Sequence, residues 1–383
     1  MASAPEDGTS ALDNSFLETV IIHNREYQQY SVANQVYFVP IDEDELERLD
    51  IMNNVLNRVF DGRLLFPPLS RPRRILDCGY GNGSWAVEVA DQNPRCEVLG
   101  IDINPWQPEE IPRNLFTFPA HNFDLVHSQM MANGIHVNRW TEYLRDMFRV
   151  TRPGGWCQMV ELYYNVQSDN GSLTDGSSKD RNSKCMRLSS FHTDHALRQW
   201  STRYLESLQS LKDLRVPLRL PTLMREAYTL VPGPLASNRK SPKALVAETY
   251  ADQRENEIGA ANRENVQRFL SSLAVYPLTE RLGMTIQDVH LLVAQARLEA
   301  DNPAFKAYFP FLLVDDVKVI NPRHVKGGMT ARRYRPVCDE DRSAPEGTIS
   351  SFASARTTGI EPSSEPSSAG VERDEVDPRS RAR

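Results

Sequence analysis

The cysteines of this chain show no pairing pattern. Cys78, Cys96, Cys157, Cys185 and Cys338 make an odd number and never fall as C-x-x-C. Neither a disulfide framework nor a structural zinc site is expected. Cys78 and Cys157 sit inside apolar runs, where a reduced thiol serves as a small hydrophobe. A basic surplus is also lacking. The net charge of -7 gives no reason to expect nucleic acid, and the acidic excess is too small to name a partner. No apolar run approaches the roughly 18 residues that a membrane helix needs. The start, MASAPEDGTSALDNS, has no basic n-region and no apolar h-region, so no secretory leader is expected. These absences point to an intracellular globular protein, cytoplasmic or nuclear.

The segments that are patterned fall into two halves. In the first, Leu46, Leu49, Met52, Leu56 and Val59 recur at helical spacing behind an Asp42–Glu45 capping pair, which predicts a helix over 42–60. Pro67, Pro68 and Pro72 break the chain after it. Arg74–Cys78, Glu97–Ile103, Phe123–His127 and Trp156–Leu162 read as strands, with helices predicted over Ser84–Asp91 and Trp140–Val150. Arg152-Pro-Gly-Gly155 reads as a turn. This alternation predicts βαβ units and a mainly parallel sheet. The second half is mostly helical. Stripes run through Leu197–Leu211 and Glu257–Leu273, and Thr285-x-x-Asp288 caps a helix through Arg297. These helices either pack around the sheet or form a lid over its ligand. Gly171–Thr193 and Pro232–Asn256 are polar and aperiodic, and residues 339–383 have hardly an aromatic, a composition that predicts disorder.

The chemistry is concentrated in Ile75–Gly83, Ile-Leu-Asp-Cys-Gly-Tyr-Gly-Asn-Gly. Gly79, Gly81 and Gly83 after a strand predict a tight turn that a ligand can approach without meeting a Cβ. Asp102 stands 19 residues beyond Gly83, close to the distance of about 20 at which an acidic residue accepts from a ribose. The unit is an adenosine cradle. Dinucleotide sites space their glycines G-x-G-x-x-G so that a pyrophosphate rests on the helix N-terminus. The G-x-G-x-G spacing, with Asp77 before it, suits a cationic cofactor better and disfavours a nicotinamide-dependent enzyme.

At these residues the chain resembles the class I S-adenosylmethionine-dependent methyltransferases, and within them the LaeA-like fungal methyltransferases. Asp77–Gly83 is similar to their motif I, and Arg152–Gly155 to the turn before their fifth strand. Further pieces are Tyr27–Pro40, Glu47–Leu64 with Arg48-Leu-Asp50, Ile75–Pro94 and Gly100–Pro108. The resemblance covers roughly residues 20–315, with gaps. It implies that Asp77, Gly79, Tyr80, Gly81 and Gly83 line the methionine end of S-adenosyl-L-methionine. Asp102 would hold the ribose, with Ile103 against the adenine.

The expected architecture is therefore α/β, a Rossmann-like mainly parallel sheet with helices on both faces and a helical C-terminal lid. Residues 1–20 are assigned to a disordered N-terminus and 21–70 to a helical extension. The cofactor-binding core takes 71–165, a loop insertion 166–193, lid and sheet completion 194–314, and a disordered tail 315–383. The tip of the fourth strand faces the methyl group in this fold class. That places His127, Gln129 and Met130 on the substrate side, with His127 either a general base or a histidine merely hydrogen-bonded at a strand end. Only Pro119–Asn122 separate an expected third strand, Asn114–Phe118, from Phe123, too few for a parallel crossover. Either the sheet omits a strand, or Phe118 substitutes beside the adenine, or the gene model is imperfect; weakened cofactor affinity is expected. His192-Thr-Asp-His195 lacks a third ligand, so no metal is expected. Arg71–Arg74 and Arg239–Lys243 read as solvated loops. The expected activity is methyl transfer to a small molecule of fungal secondary metabolism. The alternative is a LaeA-like regulator acting through protein partners.

Overall fold

In the computed structural model the described residues are 17–104, 118–173, 195–228, 243–245 and 253–319. The chain opens with a hairpin, β1 (Thr19–Ile22) and β2 (Arg25–Gln28). His23 and Asn24 turn it with φ of 50° and 60°, the left-handed geometry that matches strand twist in two-residue hairpins. Helices α1 (Gln29–Ala33) and α2 (Glu43–Val59) follow. The Asp42 side chain accepts from the Glu45 backbone N–H at 3.1 Å, as a helix cap should. It also takes two bonds from the Arg25 guanidinium, at 2.5 and 2.7 Å. The hairpin is thus tied to the start of α2. The return half of the capping box is missing, because the Glu45 carboxylate is turned onto Arg48 instead.

The sheet is built from β3 (Arg74–Cys78), β4 (Glu97–Ile101), β5 (Phe123–Gln129), β6 (Thr151–Leu162), β7 (Gln167–Ser168), β8 (Lys243–Leu245) and β9 (Ala307–Lys318). The strand order is β4-β3-β5-β6-β9-β7, with β8 also on β9. Strands β4, β3, β5 and β6 are parallel, and β9 returns antiparallel beside β6. Helices α3 (Ser84–Gln92) and α4 (Trp140–Val150) flank it. Side chains alternate across the pleat. Ile75 and Leu125 pack with Trp85 and Val89 of α3 on one face. Leu76, Cys78 and Val126 join Leu144 and Met147 of α4 on the other. Both faces are covered, so β3 and β5 are buried almost throughout, as parallel strands usually are.

Helices α5 (Ala196–Leu208), α6 (Leu220–Tyr228), α7 (Gln253–Ser272) and α8 (Ile286–Ala300) complete the described fold. Trp200 of α5 is fully buried, stacks on Tyr204 at 5.2 Å, and donates to the Leu270 carbonyl of α7 at 2.8 Å. Thr285 caps α8, accepting from the Asp288 N–H at 3.1 Å.

Four expectations shift. Strand β1 begins at Thr19, inside the segment expected to be disordered. Strand β9 runs to Lys318, past the expected boundary at 314, because Val317 and Lys318 pair with Cys157 and Trp156 far away in the chain. Arg152–Gly155 lies inside β6 rather than before it, bonded to Val319 at the end of β9 through Gly154 and Gly155. The second strand stops at Ile101, so Asp102 follows its end. The expected strand over residues 114–117, most of the insertion over 174–193, and the tail beyond 319 lie outside the described residues.

Candidate active site

At the carboxyl end of β3 the chain turns through Gly79, Gly81 and Gly83, whose φ values are 76°, 57° and 84°. Side chains rarely adopt this region without strain. Space adds a second constraint at Gly79, where a Cβ would stand 2.2 Å from the Met131 Sδ. The turn feeds α3, whose N-cap is Gly83. Helix α2 lies against it. Asp50 accepts from Asn82 Nδ2 and Ser84 Oγ, both at 2.6 Å.

Asp102 closes the turn from the β4 side. Its carboxylate accepts from the Gly81 N–H and the Asn104 N–H, each at 2.9 Å. Burial pushes this carboxyl up to about 6, and the backbone donors offset part of that rise. Asp77 is 2% exposed and has no hydrogen-bond partner among the described residues. Burial, and then the charge of Asp102, push it up to about 8. A buried acid without a donor is costly once ionised. It awaits a cation. Tyr80 covers Gly100, where a Cβ would stand 2.9 Å from its ring. The Ile103 carbonyl accepts from Gln28 Nε2 at 3.0 Å.

A cavity opens directly above the turn. Gly79, Gly81, Asp102 and Ile103 form its floor. Gln129 and Met130, at the tip of β5, form one side. Met130 has a φ of 53° and is held by its N–H on the Val160 carbonyl at 2.8 Å. The next turn is held by Glu161, which accepts from the N–H groups of Met131 at 2.9 Å and Ala132 at 3.2 Å. The roof comes from Val36, Tyr37, Val39 and Pro40, from α2, and from Tyr164, Phe269 and Leu273. The donor set fits S-adenosylmethionine. A turn free of Cβ atoms admits the ligand and Asp102 has oxygens suited to a ribose, while Asp77 lies buried at the end of β3, just outside the cavity lining.

Residues 52–204 match the family profile described as Methyltransferase domain. With that domain, the protein is an S-adenosylmethionine-dependent methyltransferase. It is similar to "Secondary metabolism regulator laeA" of Monascus pilosus, 27% identical with 71% of each chain covered. It is also similar to "Methyltransferase pytC" of Aspergillus terreus, 27% identical over 81% of this chain and 91% of the relative. "Protein-methionine methyltransferase laeA" of Emericella nidulans is 27% identical over 71% of this chain and 70% of the relative.

In this methyltransferase His127 stands apart from the cavity. Register places it between Asp77 and Gln158 on the neighbouring strands. Its ring stacks on the Trp85 indole at 3.8 Å and 16°. Gln158 Nε2 donates to its Nδ1 at 3.2 Å. Burial pushes the imidazole down to about 3, so it is neutral, and it does not line the chamber. The general-base reading lacks its geometric requirement, which is reach to the reacting proton. His127→Phe, which keeps the stack, is expected to leave labelled methyl transfer within about threefold of the wild type. A loss of about 100-fold or more, the range typical of a lost base, would restore that role.

The methyltransferase also departs from the expected adenine side. Phe118 packs edge-on against Phe123 at 5.1 Å, and its carbonyl accepts from Arg149 at 2.9 Å. Phe123 starts β5, so Phe118 lies at the end of the sheet opposite the cavity and cannot stand beside an adenine there. His195 precedes α5, while His192 lies outside the described residues. No cluster of three or more metal-ligating side chains occurs among the described residues. No helix there is long and apolar enough to cross a membrane.

The roof residues Tyr37, Glu45, Tyr164 and Phe269 carry no local sequence signal that marks them as site residues. Arg48 stands out in the sequence only within Glu47–Leu64, a segment similar to the LaeA-like methyltransferases. The signal available was a charged pair, Glu45 and Arg48, on the apolar face of a helix. Such a face reads as core until α7 is known to meet it.

Proposed function

We propose that this methyltransferase transfers the methyl group of S-adenosylmethionine to a small molecule of fungal secondary metabolism. The reading is carried by the position of the cavity. Its floor is the glycine turn, and its roof is built from this chain's own Val36, Tyr37, Val39 and Pro40, from α2, and from Tyr164, Phe269 and Leu273. An acceptor of small size fits between them, whereas a folded protein would have to thread a side chain beneath the roof. In this reading Asp77, Gly79, Tyr80, Gly81 and Gly83 hold the methionine end, Asp102 the ribose, and Ile103 the adenine. Gln129 and Met130 face the acceptor. The cofactor supplies an electrophilic methyl group on a sulfonium. The protein contributes alignment and a dry chamber, the main levers for an in-line displacement. No nucleic acid or membrane enters this account, and the expected location is cytoplasmic.

The second reading is a regulator that methylates or binds protein partners, with the nucleus as a natural place of action. It is favoured by two of the relatives, a secondary metabolism regulator and a protein-methionine methyltransferase. Labelled S-adenosylmethionine decides between them. The full chain is incubated with a fungal metabolite extract and, separately, with fungal protein. Label in the solvent-extractable fraction supports the small-molecule reading. Label confined to precipitated protein contradicts it.

A further inference from the structure

The cavity wall facing the glycine turn carries a buried ion pair with spare donors. Arg48 is 6% exposed and Glu45 is 1% exposed. Arg48 Nε and Nη2 donate to the two Glu45 oxygens at 2.9 and 2.6 Å, and Nη1 donates to Asn265 Oδ1 at 3.1 Å. The guanidinium stands 5.9 Å over the Phe269 ring. A guanidinium has five N–H donors, so two have no partner among the described residues. Stability does not explain the pair. An apolar pair of equal volume is usually as stable or more so. Position points to a ligand instead. Both residues line the cavity. The neighbouring Leu49 comes within 3.7 Å of where a Gly81 Cβ would stand. Tyr37 lines the same space, near enough to feel the charges of both Glu45 and Asp102. Its hydroxyl has no hydrogen-bond partner among the described residues.

We propose that Arg48, held in place by Glu45, Asn265 and Phe269, recognises an anionic oxygen of a ligand lying on the glycine turn. The inference rests on reading this cavity as the methyl-transfer chamber. A planar fork of spare N–H groups selects a carboxylate- or enolate-type oxygen. Two sources carry that chemistry: the carboxylate of the cofactor's amino-acid end, or an acidic acceptor.

The test uses the full chain and the double variant Glu45→Gln with Arg48→Met, which leaves no unpaired charge behind. Calorimetry compares S-adenosylhomocysteine with 5′-methylthioadenosine, which lacks the amino-acid end. Benzoate and its neutral isostere benzamide are then titrated into protein saturated with S-adenosylhomocysteine. If the cofactor is the source, S-adenosylhomocysteine weakens by about tenfold or more while 5′-methylthioadenosine stays within about twofold. If the acceptor is the source, both nucleosides stay within about twofold while the variant loses the wild-type preference for benzoate over benzamide. Unchanged binding in all arms overturns the proposal, as does equal weakening of both nucleosides. If the double variant does not fold, Arg48→Lys keeps the charge without the fork. A loss of about threefold or more in one arm alone then supports the proposal, and no selective loss overturns it. Label found only in protein would sink the small-molecule reading while leaving these affinities to judge Arg48 separately.

Discussion

Asp102→Ala is expected to weaken S-adenosylhomocysteine binding by about 100-fold or more, because hydrogen bonds to a charged group contribute about 1.5–3 kcal/mol each. The carboxylate does two jobs. It holds the turn by accepting from Gly81 and Asn104, and in the proposed role it accepts from the ribose. Alanine removes both, and it leaves two backbone N–H groups to find water. The cofactor-free fold should suffer much less. The Asp102 carboxyl is pushed up to about 6 by burial, so its charge is itself a cost, and removing it offsets the lost bonds. Titration calorimetry with a urea melt of the same variant separates the two effects. Affinity within about threefold of the wild type would contradict the ribose role.

Asp77→Asn is expected to move stability and affinity in opposite directions. The acid is pushed from an ordinary 3.8 up to about 8 in the fold, first by burial and then by Asp102. The unfolded chain releases this proton near pH 4, and the folded chain holds it to about pH 8. The Asp77 contribution to stability is therefore highest below pH 4. It falls as pH rises toward 8 and is flat beyond. Asparagine removes that slope. At pH 8 the variant should be more stable than the wild type by about 1–3 kcal/mol, because the buried amide, unlike the ionised carboxylate beside Asp102, carries no charge. Its affinity for S-adenosylhomocysteine should fall by about tenfold or more, since a buried carboxylate no longer meets the ammonium. Urea melts at pH 5, 7 and 8 check the slope. A variant less stable than wild type at pH 8 would contradict it.

How far the sequence revealed this arrangement depended on how local the cause was. Helix α4 is legible at its observed limits, Trp140–Val150, because its apolar stripe is complete within the segment. Strand β3 and the glycine turn were equally local. Strand β9 was not, since it contains Pro310 and two aspartates and is fixed by pairing with β6. The cavity roof was hidden for the same reason. Arg48 meets Asn265 across 217 residues, and no local pattern announces that. His127 shows a subtler failure. Its place on the fourth strand was legible, but its stack on Trp85 depends on the rotation of a helix that the sequence leaves open.

The most direct measurement is a calorimetric titration of S-adenosylhomocysteine at pH 7, repeated in buffers of different ionisation enthalpy. Binding an ammonium beside Asp77 should lower its raised pKa and expel the proton it holds. The expected result is one-to-one binding with release of roughly one proton, lost in Asp77→Asn, and no binding of NAD. Binding without proton release, or binding of NAD in its place, would contradict the account.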